Sequence, residues 1–346
     1  MKKIKTLFGL ALLGGLILTS CSVDDSPCDQ VPISECDGFA KNLLTLSTPF
    51  SPDPTSEINY ISYSINNLNS SLANFHGNFT SNVNLNYELP TSTSFYNEGS
   101  NLHGILISRA GRYISFNTNT NIAQEFTVPT SITAPILLNN TTYVIEVSNG
   151  GYANNGMGNH YDIKTFDINT GATGTTLPID PMTKDFDNNS FFHVETLTSA
   201  TNKLNELYFL SGTNLVTVNT ANNTASHVDL YPNFSSSDYV RFFGLEYSES
   251  LGLLAIMHKV DQMTKTLVKI DPTTGNYTNL LTISNDINSE FYSTTFRECD
   301  LTYYLTSLNQ ASNAAETLYY EFDLNTNSVS HSEILPKYVY GIEFLP

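Results

Sequence analysis

The 346-residue chain contains no tryptophan, and only 14% of it is charged. The missing tryptophan removes the usual stacking platform of a glycan site, although 20 tyrosines could substitute. Basic residues are scarce, with 15 Lys and Arg against 33 Asp and Glu. Such a surface repels phosphate backbones and excludes nucleic acid as a partner. There are four cysteines and no CxxC pair, so a cysteine zinc site is not supported. Beyond Leu18 there is no long apolar run, and no capped 3.6-period stripe marks a helix. The glycine-rich segment 149–160 has no GK[ST], no complete G-x-G-x-x-G and no helix after it, which argues against a phosphate cradle. Neither G-x-S-x-G nor H-E-x-x-H occurs, so no local hydrolytic motif is present. The seven histidines form no close pair in sequence.

What is present begins at the N-terminus. Lys2, Lys3 and Lys5 form a basic region, and Leu7 to Leu18 an apolar one too short to span a bilayer as a mature helix. Leu18-Thr19-Ser20-Cys21 follows and resembles the lipobox of bacterial lipoproteins. That resemblance implies removal of residues 1–20 and attachment of lipid (a palmitate-type acyl modification) to Cys21, with outer-membrane lipid as the partner of that residue. Ser22-Val23-Asp24-Asp25 resembles the export tag of Bacteroidota surface lipoproteins, which implies a lipid-anchored, surface-exposed protein on the outer membrane. Losing the three lysines takes the net charge from −18 to −21. Residues 21–39 then read as a lipidated tether, and 40–346 as one domain. In an oxidising location Cys28 and Cys36 are candidates for a small disulfide loop, leaving Cys299 as a buried thiol.

The domain repeats. "RYISFNTNTNIAQEFTV", "YDIKTFDINTGATGTTLPI", "NLVTVNTANNTASHVDL", "TLVKIDPTTGNYTNLLTI" and "LYYEFDLNTNSVSHSEIL" share one pattern. Each is a short alternating apolar run, an Asp or Asn, a polar turn and a second run. The anchors Asn117, Asp167, Asn219, Asp271 and Asp323 are spaced 50, 52, 52 and 52 residues apart, and a weaker copy places Asn67 another 50 upstream. Two further strand-like runs precede each hairpin, such as "RFFGLEYS" and "LGLLAIMHK". Four short strands per unit predict propeller blades. The N-terminal unit supplies only three strands, and "YVYGIEFLP" at the C-terminus matches the first strand of a unit. The expected fold is therefore all-β, a six-bladed β-propeller of four-stranded blades, with the C-terminal strand closing the first blade. It resembles the bacterial repeat propellers whose blades carry a D-x-x-T-G turn between their last two strands.

The turn "TFDINTG" (165–171) has the look of a cation loop, but its siblings argue otherwise. The first carboxylate is often Asn, and no acidic residue closes any copy. What persists is a side chain able to bond its own turn, followed by Gly or Asn where positive φ is needed.

In such blades the tight turns share one rim and the long loops the other, where recognition usually resides. The long-loop rim is expected to hold the segments 149–160, 178–190, 231–239, 284–290 and 309–316. Its aromatics and carboxylates, Tyr152, Asp180, Asp185, Asp187, Tyr231, Phe234 and Tyr239, suit an unknown protein, peptide or glycan ligand, or a cation. A second cluster comes from the first strands. Glu195, Glu246 and Glu343 fall at one register with Arg297 in the fourth copy, and His193 points to the same side as Glu195. A carboxylate ring there resembles six-bladed lactonase-type propellers, which implies an axial calcium and a hydrolase. The alternative is that each Glu bonds a neighbouring blade, with Arg297 pairing one of them. The leading expectation is a ligand- or protein-binding module without a cofactor. The runner-up is a calcium-dependent hydrolase, and a structural component of a surface complex is third.

Overall fold

The computed structural model describes residues 42–48, 57–64, 74–80, 90–98, 101–108, 112–117, 122–127, 131–149, 159–177, 198–231, 240–309, 316–335 and 338–344. Nearly all of them are strand. The strands in chain order are β1 (Asn42–Thr48), β2 (Glu57–Ser64), β3 (Asn74–Thr80), β4 (Pro90–Glu98), β5 (Asn101–Ser108), β6 (Arg112–Asn117), β7 (Ile122–Thr127) and β8 (Ser131–Leu138). Next come β9 (Thr141–Asn149), β10 (Asn159–Asp167), β11 (Ala172–Thr176), β12 (Thr198–Thr201), β13 (Glu206–Ser211), β14 (Asn214–Asn219), β15 (Thr224–Asp229) and β16 (Val240–Ser248). The last are β17 (Gly252–Lys259), β18 (Thr264–Ile270), β19 (Tyr277–Ile283), β20 (Ile287–Arg297), β21 (Thr302–Asn309), β22 (Thr317–Asp323), β23 (Ser328–Leu335) and β24 (Tyr338–Phe344). No helix among the described residues is long and apolar enough to cross a membrane.

Six four-stranded antiparallel sheets result, and five of them use four consecutive strands. The remaining sheet has the order β24-β1-β2-β3, so the C-terminal strand completes the N-terminal unit as the repeat pattern predicts. Strands β4, β8, β12, β16, β20 and β24 contact one another in turn and close a circuit. The chain is a β-propeller with these first strands innermost. Hydrogen bonding between β24 and β1 joins its two ends.

The core lies between the sheets, which explains the sequence of the second strands. In β17 Leu253, Ala255 and Met257 enter the layer shared with the sheet of β12–β15, together with Tyr208, Leu210 and Phe242. Leu254 and Ile256 enter the opposite layer with Tyr303, Leu305 and Phe322 of the sheet β20–β23. Successive strand residues point to opposite faces, so a strand covered on both sides reads as a continuous apolar run. Outer strands lose one covering: β23 (SVSHSEIL) is exposed along most of its length.

The turns between third and fourth strands are built as the siblings of "TFDINTG" suggest. Asp167 accepts from the Asn169 N–H at 2.9 Å and from the Thr170 hydroxyl at 2.8 Å, and Gly171 follows at φ 73°. Asp271 does the same with the Thr273 N–H and the Thr274 hydroxyl, at 2.9 and 2.7 Å, before Gly275 at φ 74°. Asp323 repeats it with Asn325, Thr326 and Asn327, and Asn219 with the N–H groups of Ala221 and Asn222. Each carboxylate is bonded twice by its own turn, as a structural turn requires.

Those bonds favour the ionised carboxylate. The Asn169 N–H and Thr170 hydroxyl hold Asp167 below the ordinary range, and the Thr274 hydroxyl and Thr273 N–H do so for Asp271. At Asp323 burial pushes upward, but Thr326 and Asn325 outweigh it. A carboxylate lowered by folding stabilises fully above its unfolded value of 3.8 and loses that contribution as pH falls through the lowered native value. The melting temperature should therefore drop below about pH 4. A variant carrying Asp167→Asn, Asp271→Asn and Asp323→Asn, which keeps the turn geometry of Asn219, should show a shallower acid limb. An identical limb would mean that these turns carry none of the pH dependence.

Candidate functional site

Strand polarity divides the molecule into two rims. One carries the connections from first to second and from third to fourth strands, and β1 also begins there, opposite Ser64 of β2 and beside Phe344 of β24. The other carries the connections from second to third strands and from sheet to sheet. On the first rim most connections are short, such as 139–140, 249–251, 168–171 and 324–327, with 65–73 as the exception. The opposite rim receives 49–56, 81–89, 150–158, 178–197, 232–239 and 310–315. Two expectations change. The segment 65–73 is a longer connection on the turn rim, and 284–290 is mostly strand, because β20 begins at Ile287.

Tyr152, Asp180, Asp185, Asp187, Phe234 and Tyr239 lie outside the described residues. Tyr231 is described. It is partly buried against the layer formed by Val240, Phe242 and Leu253, and its N–H donates to Asp229 Oδ1 at 2.9 Å. Its ring therefore serves packing at the root of the connection. The neck of 310–315 is closed by Asn309, whose N–H donates to the Glu316 carbonyl and whose side-chain amide donates to Glu316 Oε2, both at 3.0 Å. One row in from this rim, Arg241, His258 and Lys265 face one another across β16, β17 and β18. Lys265 donates to the Asn285 carbonyl at 2.7 Å. Burial, with Lys265 and Arg241 nearby, pushes His258 down to about 3, so it is neutral at physiological pH.

The expected carboxylate ring is not reproduced in the pairing of the strands. Leu253, Tyr303 and Leu207 each pair with the residue just before a turn anchor, so they are equivalent second-strand positions. The residues after them, Leu254, Tyr304 and Tyr208, pair with Glu246, Thr295 and Ala200. Ala200 and Thr295 therefore occupy the register of Glu246. Glu195 and His193 stand earlier in the chain and lie outside the described residues. Arg297 sits at the strand end and forms an ion pair with Asp300 at 2.9 Å. Glu343 does follow Ile342 as Glu246 follows Leu245. The N–H groups of Leu245 and Ile342 are held alike, by Thr198 Oγ1 and Ser293 Oγ of the preceding sheets, at 3.1 Å each.

Glu246 is occupied by its neighbours. Thr294 Oγ1 donates to it at 2.6 Å across the sheet boundary. Beside it a β-bulge between Phe243 and Glu246 contains Gly244 at φ 64°, whose carbonyl accepts from the Tyr303 hydroxyl at 2.5 Å. Burial holds the Tyr303 phenol well above its ordinary range, with the Glu246 charge adding to it. Among the described residues no group of three or more His, Cys, Asp or Glu could hold a metal ion. Thr198, Ser293, Gly244 and Tyr303 were not legible as a set, because their partners are on other strands.

Cys21, Cys28 and Cys36 also lie outside the described residues. Cys299 corrects an expectation: it is disulfide-bonded, not a buried thiol.

No family model matches this chain, and no curated protein does. Among solved structures it is similar to the extracellular domain of a putative one-component system from B. thetaiotaomicron, with TM-score 0.42 and 12% identity over 69% of this chain. The match spans 28% of that protein's chain. It is also similar to BamB from Moraxella catarrhalis, with TM-score 0.38 and 13% identity, covering 85% of this chain and 70% of the other. Neither likeness assigns a role.

Proposed function

We propose that this is an exported, lipid-anchored propeller that works as a binding module, with the rim of long connections as its recognition surface. In this reading residues 1–20 are a leader, Cys21 carries the lipid, 21–39 form the tether and 40–346 the propeller, held at the outer membrane and facing outward. The ligand is a protein, peptide or glycan met by the connections 150–158, 178–197 and 232–239, which carry Tyr152, Asp180, Asp185, Asp187, Phe234 and Tyr239. The observation that carries the reading is the inequality of the rims. One is made largely of short turns whose polar groups are consumed internally, and the other gathers most of the long connections on a rigid frame. Glu246 is bonded by Thr294 and its register holds Ala200 and Thr295 in two other sheets, which favours the binding reading over the hydrolase.

Two exposed side chains on opposite rims allow a direct test. Met263, 68% exposed, lies in the turn after β17 on the recognition rim, and Leu204, 74% exposed, lies between β12 and β13 on the other. A benzophenone amino acid at each position is photolysed with solubilised envelope fractions. Adducts from position 263 and none from 204 are expected. Equal yields from both, or none from either, would overturn the assignment of the rim.

A further inference from the structure

The bond at Cys299 identifies where the N-terminal segment is fastened. The chain has four cysteines, and the other three, Cys21, Cys28 and Cys36, all precede β1. An intrachain disulfide at Cys299 must therefore return to the segment before Asn42. Cys299 lies in the short 3-10 turn Glu298–Asp300 between β20 and β21, on the turn rim. β1 enters on that same rim, since Asn42 pairs with Ser64 and Leu43 with Phe344. The sheets are adjacent as well: the Ile342 N–H of β24 is bonded to Ser293 Oγ of β20. Strand β1 is one hydrogen-bonded step from β24, at about 5 Å.

We propose that Cys36 is the partner of Cys299, and that this disulfide staples the N-terminal segment to the turn rim. Cys36 stands six positions before Asn42, a reach of up to about 20 Å, which fits a crossing from one sheet to the next on one rim. Cys28 would close a longer excursion, and Cys21 is the residue assigned to lipid. Closure removes one proton and one electron from each thiol. Both electrons pass to an oxidised dithiol donor of the kind that maintains disulfides in exporting compartments. The proposed Cys28–Cys36 loop is replaced, and Cys28 remains a thiol.

The staple also deepens the proposed function and rests on it for orientation. The fastening at Cys299 is on the turn rim, so an anchor at Cys21 would hold that rim toward the lipid and carry the rim of long connections outward. The partner of Cys299 can be established whether or not the anchor exists, which separates the two readings.

The full chain is recovered from the oxidising compartment of an expression host, alkylated without reduction and mapped by peptide mass. The expected result is one cross-linked pair containing Cys36 and Cys299, with Cys28 alkylated. A pair joining Cys299 to Cys28 or Cys21, or an alkylated Cys299, overturns the proposal. Because Cys299→Ser could lower yield for other reasons, reduction supplies a second readout. Dithiothreitol should lower the melting temperature of the natural chain and of Cys28→Ser by roughly 5 °C or more, and leave Cys36→Ser unmoved. A Cys36→Ser chain as sensitive to reductant as the natural one would overturn it.

Discussion

Replacing Gly244 with alanine lowers the melting temperature by roughly 5–10 °C, corresponding to about 3 kcal/mol. Two costs coincide at this residue. Its φ of 64° lies in the left-handed region, which a side chain rarely adopts. A Cβ there would also stand 2.6 Å from the Tyr303 hydroxyl and 2.9 Å from Thr294 Cγ2. Neither neighbour is free to retreat. The Tyr303 hydroxyl is bonded to the Gly244 carbonyl inside a fully buried layer, and Thr294 is bonded to Glu246. Gly212 supplies the control: its φ is 58° but nothing lies within 4 Å of an added Cβ. Gly212→Ala should therefore show only the backbone penalty, about 1 kcal/mol. Thermal melts of the two variants followed by circular dichroism decide the matter. Equal losses would mean that the contact between sheets at Tyr303 contributes nothing.

Gly244 also marks the boundary of what the sequence discloses. The fold was readable because its signals are local: an anchor that bonds its own turn, a residue of positive φ after it, and alternating runs on either side. The closing strand was readable because Tyr338–Phe344 looks like a first strand with no unit after it. Register between strands is different, since it depends on a partner elsewhere in the chain. The likeness of "FFHVETL" to "FFGLEYS" sets Glu195 against Glu246, yet the equivalent of Glu246 in that sheet is Ala200. The physical reason is a shorter hairpin of second and third strands, with β13 and β14 shorter than β17 and β18 and a connection of 212–213 against 260–263 in the next sheet. The constant anchor spacing conceals both. The disulfide at Cys299 was hidden for the same reason, because the residues it joins stand far apart in the chain.

Glu298→Ala should cost about 2–3 kcal/mol, a larger loss than a surface carboxylate normally produces. Glu298 belongs to the 3-10 turn after β20, but its carboxylate serves the turn of the adjacent sheet. Oε1 accepts from the Ser250 N–H at 3.0 Å and from the Ser248 hydroxyl at 3.2 Å, and Oε2 accepts from the Glu249 N–H at 3.0 Å. Two N–H donors of the turn 249–251 and the hydroxyl of Ser248 at the end of β16 thus depend on one side chain from another sheet. Ser248 is fully buried and its Oγ also accepts from the Leu251 N–H at 2.9 Å, so the loss spreads into that turn. An analogous link joins the sheets β8–β11 and β12–β15, where the Asn139 amide donates to the Leu204 carbonyl at 3.0 Å, but it is a single neutral bond. Glu298→Gln keeps an acceptor oxygen and loses the charge, so it should fall between the natural chain and the alanine variant. Amide hydrogen exchange gives the local readout: Glu249 and Ser250 should exchange faster in Glu298→Ala, while Leu254 and Ile256 in the core of β17 keep their protection. Unchanged exchange at Glu249 and Ser250 would remove this carboxylate from the account. Cys299 is the next residue in the chain, so the bond between sheets and the staple to the N-terminal segment meet at one turn. With the proposed staple in place, losing Glu298 should destabilise the reduced protein more than the oxidised one.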